Sequence, residues 1–281
     1  MPKILTQAQV EQYRVEGCTF PVRVFSEGQA ASYLAQLDRD AEKEGESYHK
    51  LIRRKPHLVF KWVDELVHHP TVLDAVEDLI GPNILLYNLA TWLKKSNDGS
   101  YVGWHQDSTY FPLDPPVQVT AWIAFTESNR ENGCVDYVAG SHAIGQLQHA
   151  DELGGKSMLG SGQHIVEAFD SRDTRSITLS PGEMSLHHTR LLHKSEPNNS
   201  GRRRIGFGIS YIPTHVRCTG SVRHTAMLVR GKDDYHHFDL EPRVRFDRDP
   251  DVEPFRQDAL ARYEQARAEQ ARKHQAGAAA T

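Results

Sequence analysis

The chain has 281 residues, with 33 Lys or Arg against 37 Asp or Glu, and its formal net charge is −4 at neutral pH. This length suits one large domain with a substantial core, and the mildly acidic balance argues against nucleic acid as a partner. The three cysteines are far apart, the first residues lack the apolar stretch of a secretory signal, and no segment approaches the roughly 18 apolar residues of a membrane span, so we expect a cytoplasmic protein without a disulfide framework.

Helical patterns occupy the first third of the chain. Thr6 is a candidate N-cap for a short first helix, and Ser26 is a second candidate, with Gln29 at the spacing of a capping box. A helical pattern over residues 62–79 is broken at Pro70, because a proline inside a helix removes a backbone donor. We expect these helices to pack on the outside of a sheet.

From residue 84 onward the apolar segments become shorter and are separated by Gly, Pro, Asn and Asp. The segments with strand-like composition are Ile84–Leu93, Val117–Phe125, Cys134–Val138, Ser176–Leu179, Glu183–His188 and Ile205–Ile212. Several short strands with turn residues between them are typical of a two-sheet jelly roll. The predicted fold class is therefore mainly β with flanking helices, around a double-stranded β-helix core of the cupin-like type.

This pattern predicts a single domain over residues 1–281. Its helical part covers about residues 1–82, the jelly-roll core about residues 83–250, and a C-terminal helix and tail about residues 254–281. The stretch from residue 144 to residue 173 is rich in Gly, Ser and charge and exceeds the ordinary length of a loop, so we expect it to form a lid. We expect the C-terminal helix to lie on the surface.

Two histidines and one aspartate in the strand region have the residue types of a metal site. His105 and Asp107 are two positions apart, and side chains with this spacing on an extended segment point to the same side. Two imidazoles and one carboxylate form the facial triad that binds non-heme Fe(II) and leaves coordination positions open. We choose His193 as the second imidazole because it follows a strand-like run, and His187 and His188 are the alternatives.

An arginine follows this histidine at a useful distance. After a turn rich in Pro, Asn and Gly the chain returns as a predicted strand, and a hairpin of this length would set Arg204 beside His193. Strand alternation places Arg204 on the face of Gly206, and leaves Arg202 and Arg203 at the surface. Because arginine can hold a carboxylate through two parallel N–H bonds, a metal with open positions beside it suggests a chelating keto acid.

These motifs resemble the phytanoyl-CoA dioxygenase family of Fe(II)/2-oxoglutarate-dependent oxygenases, which includes ectoine hydroxylase-like and chlorinating-enzyme-like branches. The resemblance covers about residues 85–215. The blocks that carry it are Trp104–Leu113, Thr120–Ala124, Glu131–Cys134, Gly140–His142, Leu192–Ser195, Asn198 and Arg204.

The resemblance implies an enzyme that uses Fe(II), 2-oxoglutarate and O2. It implies that His105, Asp107 and His193 are the iron ligands and that Arg204 binds the distal carboxylate of 2-oxoglutarate. The other positions that match cosubstrate contacts are Ser195, Trp122, Asn88 and Trp92. Neither His187 nor His188 has an arginine at the spacing that the family pattern uses, and His142 belongs to a turn motif.

The family pattern also implies the type of reaction. Halogenating members replace the acidic ligand with a small residue, whereas Asp107 is present here, so we expect hydroxylation of an sp3 C–H bond with succinate and CO2 as coproducts. Histidines and arginines after Tyr211 favour a small polar substrate, amino acid-like, zwitterionic or phosphonate, over a long acyl chain. The alternatives are a halogenase-like enzyme and a non-catalytic cupin-type protein that binds Zn or Mn. The sequence does not predict the oligomeric state.

Overall fold

The computed structural model describes residues 2–152 and 154–278. Its α-helices are α1 (Gln7–Glu16), α2 (Glu27–Glu44), α3 (Tyr48–Arg53), α4 (Lys61–Val67), α5 (Pro70–Ile80) and α6 (Glu253–Ala278). Its first strands are β1 (Cys18–Arg23), β2 (Ile84–Lys94), β3 (Val102–His105), β4 (Leu113–Asp114), β5 (Val119–Ala124), β6 (Val135–Val138), β7 (His149–Ala150) and β8 (His164–Ile165). The strands that follow are β9 (Thr174–Ile177), β10 (Glu183–His188), β11 (His193–Ser195), β12 (Arg204–Pro213), β13 (Arg217–Cys218), β14 (Thr225–Arg230) and β15 (Asp239–Leu240).

The predicted helix starts are confirmed by their cap hydrogen bonds. Thr6 and Ser26 each form a capping box with the glutamine three residues later, so two backbone donors that a helix start leaves free are satisfied. Pro70 begins α5, where its missing N–H costs nothing. The sequence analysis missed α3, β1 and β14. In β1 the cause is Pro21, since a proline argues against a strand, but β1 lies at the edge of its sheet and tolerates it.

Two sheets form the predicted jelly roll. The larger sheet has the order β1-β10-β5-β12-β2-β14-β15, and the smaller one has the order β3-β11-β6-β9. Short pairs β4/β13 and β7/β8 extend the loops, and the second pair lies inside the stretch predicted to be a lid. This arrangement of a mostly antiparallel double sheet with flanking helices confirms the predicted fold class.

The two faces of β12 have different environments. Ile205, Phe207 and Ile209 point outward into an apolar core shared with the helices, where Trp62 of α4 stacks on Phe207 with ring centroids 5.8 Å apart. Burying each of these large side chains contributes roughly 1.5–3 kcal/mol to folding. Arg204, just before them, lies on the opposite face and points inward, as the alternation predicted. The outward packing of its neighbours fixes its position.

The predicted hairpin between His193 and Arg204 is wrong. β11 pairs with β3 and β6 in the smaller sheet, whereas β12 pairs with β2 and β5 in the larger one. The connection over residues 196–203 therefore crosses from one sheet to the other. Its Asn198 donates to the carbonyl oxygens of Lys95 and Arg202, at 3.2 and 2.7 Å, and so supplies partners to backbone groups that no ladder satisfies. His193 and Arg204 consequently lie on opposite walls of one cavity.

Among the described residues, no helix combines the length and the apolar character that crossing a bilayer requires.

Candidate metal and cosubstrate site

His105 and His193 lie side by side on the smaller sheet. They are direct cross-strand partners on β3 and β11, and their ring centroids are 4.0 Å apart. Nδ1 of His105 lies 3.0 Å from the carbonyl oxygen of Gly103, and Nδ1 of His193 lies 2.9 Å from that of Leu191. Because a carbonyl oxygen only accepts, each Nδ1 carries the hydrogen, and each Nε2 keeps a lone pair for a metal ion.

Asp107 completes the cluster from just beyond β3. The strand ends at His105, Gln106 is still extended with φ −120° and ψ 133°, and Asp107 begins a 3-10 turn. Residues 105 and 107 thus point the same way, as predicted, although Asp107 is not part of the strand. Its Oδ1 lies 3.7 Å from Nε2 of His105 and 3.9 Å from Nε2 of His193, and the three ligand atoms all lie within 4.8 Å of one another. One ion could contact all three.

The protonation states of these groups suit metal binding. Burial, and then the neighbouring His105, lower the pKa of His193 well below its usual value, so this imidazole is neutral at pH 7. Burial alone would raise the pKa of Asp107, but the surrounding imidazoles of His105, His187 and His193 outweigh it and hold that pKa well below its usual value. Neutral imidazole and ionised carboxylate are the forms that bind metals, and this donor set fits non-heme Fe(II).

A second layer of side chains fixes the segment that carries the ligands. Thr120 on β5 donates to Oδ2 of Asp107 at 2.9 Å, which leaves Oδ1 facing the two imidazoles. The backbone N–H of Gln106 donates to Nε2 of His149 at 3.1 Å, and the buried Gln106 amide donates to the carbonyl of Arg190. The sequence analysis missed Thr120, Gln106 and His149 in these roles. Only their position beside the ligands in the folded chain reveals them.

The alternative histidines are not part of the three-residue cluster. His187 on β10 is 2% exposed and lines the same cavity as the cluster, where its Nε2 lies 3.6 Å from Oδ2 of Asp107 and its ring centroid lies 4.9 Å from that of His193. Neither of its ring nitrogens has a hydrogen-bond partner among the described residues. His188 points to the other face of the strand, where its ring centroid lies 5.3 Å from that of His142. The structure therefore brings His193, rather than either alternative, into the cluster.

One cavity connects the three candidate ligands with Arg204. His105, Asp107 and His193 lie at one end, Arg204 and Ser195 at the other, and the indoles of Trp92 and Trp122 form walls between them. Four of the five predicted cosubstrate contacts therefore share one cavity with the candidate ligands. The fifth, Asn88, does not line this cavity and lies on a smaller one.

Arg204 is a buried cation with no anionic partner among the described residues. It is 2% exposed, one terminal nitrogen lies 3.3 Å from Oγ of Ser195, and its Nε has no hydrogen-bond partner among the described residues. Its guanidinium carbon lies 5.1 Å from the centroid of the Trp122 ring. Burial lowers its pKa to about 10, which still leaves it charged at pH 7. Because an unpaired buried charge is costly, this environment fits a site that an anionic ligand completes.

Ser195 supports Arg204 and has no hydrogen left for a ligand. Its hydroxyl donates to the carbonyl of Gly133 at 2.7 Å, and its oxygen accepts from Lys94 at 2.7 Å and from Arg204. Sequence analysis expected Ser195 to help bind the distal carboxylate, which stays a prediction, and the structure places its hydroxyl oxygen 3.3 Å from the guanidinium of Arg204. Sequence analysis did not identify Lys94, which is fully buried on β2 directly opposite Arg204. Burial, and then the charge of Arg204, lower the pKa of Lys94 to about 7.

Two glycines on β12 make room for the tryptophans. A Cβ atom on Gly206 would lie 2.3 Å from the Trp122 ring, and one on Gly208 would lie 2.8 Å from Nε1 of Trp92. Real Cβ contacts are not this short, so any side chain here would displace an indole. The spacing Gly-x-Gly after Arg204 therefore sets the width of the cavity.

Comparison with known sequences assigns most of the chain to one protein family. A sequence model of the family described as phytanoyl-CoA dioxygenase matches residues 2–206. A protein named "Probable alpha-ketoglutarate-dependent hypophosphite dioxygenase" from Stutzerimonas stutzeri is 31% identical over 198 residues, which are 68% of this chain and 68% of that protein. Phytanoyl-CoA dioxygenase domain-containing protein 1 of Rattus norvegicus is 29% identical over 195 residues, covering 67% of this chain and 62% of that protein.

Solved structures share the architecture. The non-heme monooxygenase ThoJ in its apo form superposes with a TM-score of 0.84 and 30% sequence identity, covering 94% of this chain and 99% of that one. CytC3 with Fe(II) and alpha-ketoglutarate superposes with a TM-score of 0.67 over 89% of this chain and 97% of that one. At 20% identity this second likeness concerns the fold alone.

Proposed function

Because this chain belongs to the phytanoyl-CoA dioxygenase family, we propose that it hydroxylates a small polar molecule, with succinate and CO2 as coproducts. It is an Fe(II)- and 2-oxoglutarate-dependent dioxygenase that uses O2. The substrate class that we propose is amino acid-like, zwitterionic or phosphonate. The name of the relative from Stutzerimonas stutzeri, which specifies the small oxyanion hypophosphite, supports a compact substrate of this kind.

We assign the Fe(II) ion to His105, Asp107 and His193, and the distal carboxylate of 2-oxoglutarate to Arg204. The observation that carries this proposal is a buried guanidinium, with no carboxylate partner in the described part of the chain, on a cavity that two imidazoles and a carboxylate also line. When bound, the ferrous ion and 2-oxoglutarate together supply the activation of O2.

The residues of the chain orient the reactants and exclude water. The two carbonyl oxygens that accept from Nδ1 keep the Nε2 lone pairs of His105 and His193 aimed inward. Thr120 donates to one oxygen of Asp107, so the other oxygen remains available to the metal ion. Trp92 and Trp122 give the cavity apolar walls, which strengthens the attraction between Arg204 and a carboxylate.

The outcome that we propose is transfer of oxygen rather than of a halide. Asp107 occupies the position at which halogenating members of the family have a small residue, so its carboxylate takes the coordination position that a halide would need. The expected product is the substrate with one additional oxygen atom.

Anaerobic addition of Fe(II) and 2-oxoglutarate to the protein tests the assignment of Arg204. Chelation of the metal by a keto acid gives a weak visible charge-transfer band. We expect this band in the wild type and in Arg202→Met, which removes an exposed arginine two positions away, and we expect Arg204→Met to lose it at the same concentrations. Equal 2-oxoglutarate affinity in Arg204→Met and the wild type would contradict the proposal.

A mass-spectrometric screen tests the substrate class. Small zwitterions, amino acid derivatives and phosphorus oxyanions are incubated with the loaded enzyme, and gain of one oxygen is measured beside succinate. Succinate release that requires one of these compounds is the expected result. Coupling only to long-chain acyl compounds would refute the proposed class.

A further inference from the structure

His187 is a buried histidine that the proposed metal and cosubstrate assignments do not use. It is 2% exposed, lies on β10, and lines the cavity that the three candidate ligands share with Arg204. Neither Nδ1 nor Nε2 has a hydrogen-bond partner in the described part of the chain. A neutral imidazole has one donor and one acceptor, and burying them without partners is costly. Such a residue on a candidate active-site cavity indicates a role that the loaded site completes.

The larger sheet places His187 beside Thr120. The two residues are direct cross-strand partners on β10 and β5, and side chains in this relation stand on the same face with Cβ atoms about 4.5–5.5 Å apart. Thr120 already donates to Oδ2 of Asp107 at 2.9 Å. Two polar side chains from neighbouring strands therefore approach the same candidate ligand.

The two oxygens of Asp107 face different groups. Oδ1 lies 3.7 Å from Nε2 of His105 and 3.9 Å from Nε2 of His193. Oδ2 accepts from Thr120, and it lies 3.6 Å from Nε2 of His187. A carboxylate oxygen can accept two hydrogen bonds, so Oδ2 has one position left after Thr120. Nε2 of His187 is placed to fill it.

The tautomer of His187 is free to be the opposite of that of the candidate ligands. His105 and His193 each have Nδ1 against the carbonyl oxygen two residues earlier, that of Gly103 or Leu191, which keeps the hydrogen on Nδ1 and a lone pair on Nε2. Nδ1 of His187 has no such acceptor in the described residues, so its hydrogen can reside on Nε2. A carboxylate only accepts, and it favours this second tautomer.

The distance also fits a contact that tightens when the site is loaded. Hydrogen bonds to a carboxylate oxygen span about 2.7–3.2 Å, so 3.6 Å between Nε2 of His187 and Oδ2 of Asp107 lies just beyond this range. Hydrogen bonds in active sites are often longer before the ligands bind. A small rotation of the imidazole is enough to form this one.

We propose that His187 is a positioning residue, which donates Nε2–H to Oδ2 of Asp107. Together with Thr120 it would keep this carboxylate on the metal through Oδ1 alone. If both oxygens bound the metal, the second would take a coordination position that the keto acid or O2 needs. The proposal rests on the proposed function, because it takes the metal to lie at Asp107.

Titration calorimetry with Ni(II) tests the donor. We expect His187→Phe, which keeps a ring but has no donor, to raise the Kd for Ni(II) about tenfold or more, as losses of groups that orient metal ligands do. His187→Gln, whose amide nitrogen can take the place of Nε2, should retain an affinity close to that of the wild type. His187→Asn can replace only Nδ1 and should resemble His187→Phe.

The matched control is His188→Phe, at the next position of the same strand. His188 points to the other face, where its ring lies 5.3 Å from that of His142, and it does not line the cavity. We expect the wild-type affinity for Ni(II) in this variant.

Urea denaturation of the metal-free protein separates positioning from a merely structural role. His187→Phe replaces two unsatisfied buried nitrogens with apolar atoms, and such a change is nearly neutral or stabilising. We therefore expect His187→Phe to unfold at the same urea concentration as the wild type or at a higher one, although it binds Ni(II) more weakly. A histidine that only supports the fold would give a lower midpoint.

The outcomes distinguish this inference from the assignment of the metal site. Unchanged Ni(II) affinity in Asp107→Ala would count against the proposed function. Weak binding in Asp107→Ala with wild-type affinity in His187→Phe would overturn the inference about His187 alone. Equal loss of affinity in His187→Gln and His187→Phe, or a lower urea midpoint in His187→Phe, would overturn it as well.

Discussion

Lys94 and Arg204 set the electrostatics at one end of the cavity in which we propose that 2-oxoglutarate binds. They are direct partners on β2 and β12, both are buried, and Lys94 also donates to the hydroxyl and the carbonyl oxygen of Ser195. Burial, and then repulsion between these two adjacent cations in a region of low dielectric, lower the pKa of Lys94 to about 7. A bound carboxylate would relieve this repulsion. Lys94 thus links cosubstrate binding to pH.

The affinity for 2-oxoglutarate should therefore fall as the pH rises above 7. The distal carboxylate favours protonated Lys94, so binding takes up a proton wherever the free protein has lost it, and the affinity falls by up to about tenfold per pH unit. Titration calorimetry of the protein loaded with Ni(II) as a redox-inert metal, between about pH 7 and pH 9, measures this slope. We expect Lys94→Met to lose it and Lys95→Met, at an exposed lysine, to keep it.

The stability of the ligand-free protein should change in the opposite direction. The pKa of Lys94 is lowered in the folded state from 10.5 to about 7, so between these values the unfolded chain binds more protons and the free energy of unfolding rises with pH. Urea denaturation should show this rise in the wild type relative to Lys94→Met. Parallel stability curves for the two proteins would contradict the assigned pKa.

Sequence reasoning found the residues that carry a local pattern. His105 and Asp107 share a strand-like spacing, and Arg204 alternates in phase with Gly206. Lys94 carries no such pattern, because its partner Ser195 lies 101 positions away and meets it only when the two sheets face each other. Alternation places Asn88 on the same face of β2 as Trp92, and their register with β12 is unbroken, but alternation does not show how far along the strand the cavity extends.

At the scale of elements, the connection over residues 196–203 joins the two walls of the cavity. It leaves the smaller sheet after Ser195 and enters the larger one at Arg204. The fully buried Asn198 side chain donates its two amide hydrogens to the carbonyl oxygens of Lys95 and Arg202, and its own oxygen accepts from the N–H and the hydroxyl of Ser200. One side chain thus holds the two ends of the turn over residues 198–202 together.

Asn198→Ala should weaken both folding and cosubstrate binding. Two part-buried backbone carbonyls lose their donor, and leaving a buried group unsatisfied costs up to roughly 1–3 kcal/mol. We expect a lower free energy of unfolding in urea and a higher KM for 2-oxoglutarate, because Ser195 and Arg204 both flank the crossing. The matched control is Asn199→Ala, at the exposed neighbour. If the two variants have the same stability and the same KM, the crossing is not held by Asn198.

The elements predicted most accurately have signals in their own residues. The capping boxes at Thr6 and Ser26 gave the starts of α1 and α2, and Pro70 gave the start of α5. The pairing of strands depended on contacts between distant parts of the chain. The turn rich in Pro, Asn and Gly before Arg204 suggested a hairpin. In the structure β12 packs its outward face against the helices and pairs within the larger sheet instead.

At the scale of the whole molecule, the jelly roll brings the candidate metal ligands and the candidate cosubstrate contact to opposite walls of one cavity. His105 and His193 come from the smaller sheet, and Arg204 comes from the larger one. A ligand that binds both walls connects the two sheets. Binding of metal and of 2-oxoglutarate should therefore stabilise the fold in two separable steps, because each acts only on the native state.

Thermal unfolding with Ni(II) and 2-oxoglutarate separates these steps. Each ligand at about 100 times its Kd adds about 2.7 kcal/mol, which corresponds to a rise in Tm of roughly 5–10 °C for a chain of this size. We expect His193→Ala to lose both increments, since a keto acid chelates only a bound metal. Arg204→Met should keep the increment from the metal and lose most of the increment from 2-oxoglutarate. If 2-oxoglutarate stabilised His193→Ala as strongly as the wild type, it would bind elsewhere, and the two walls would not act as one site.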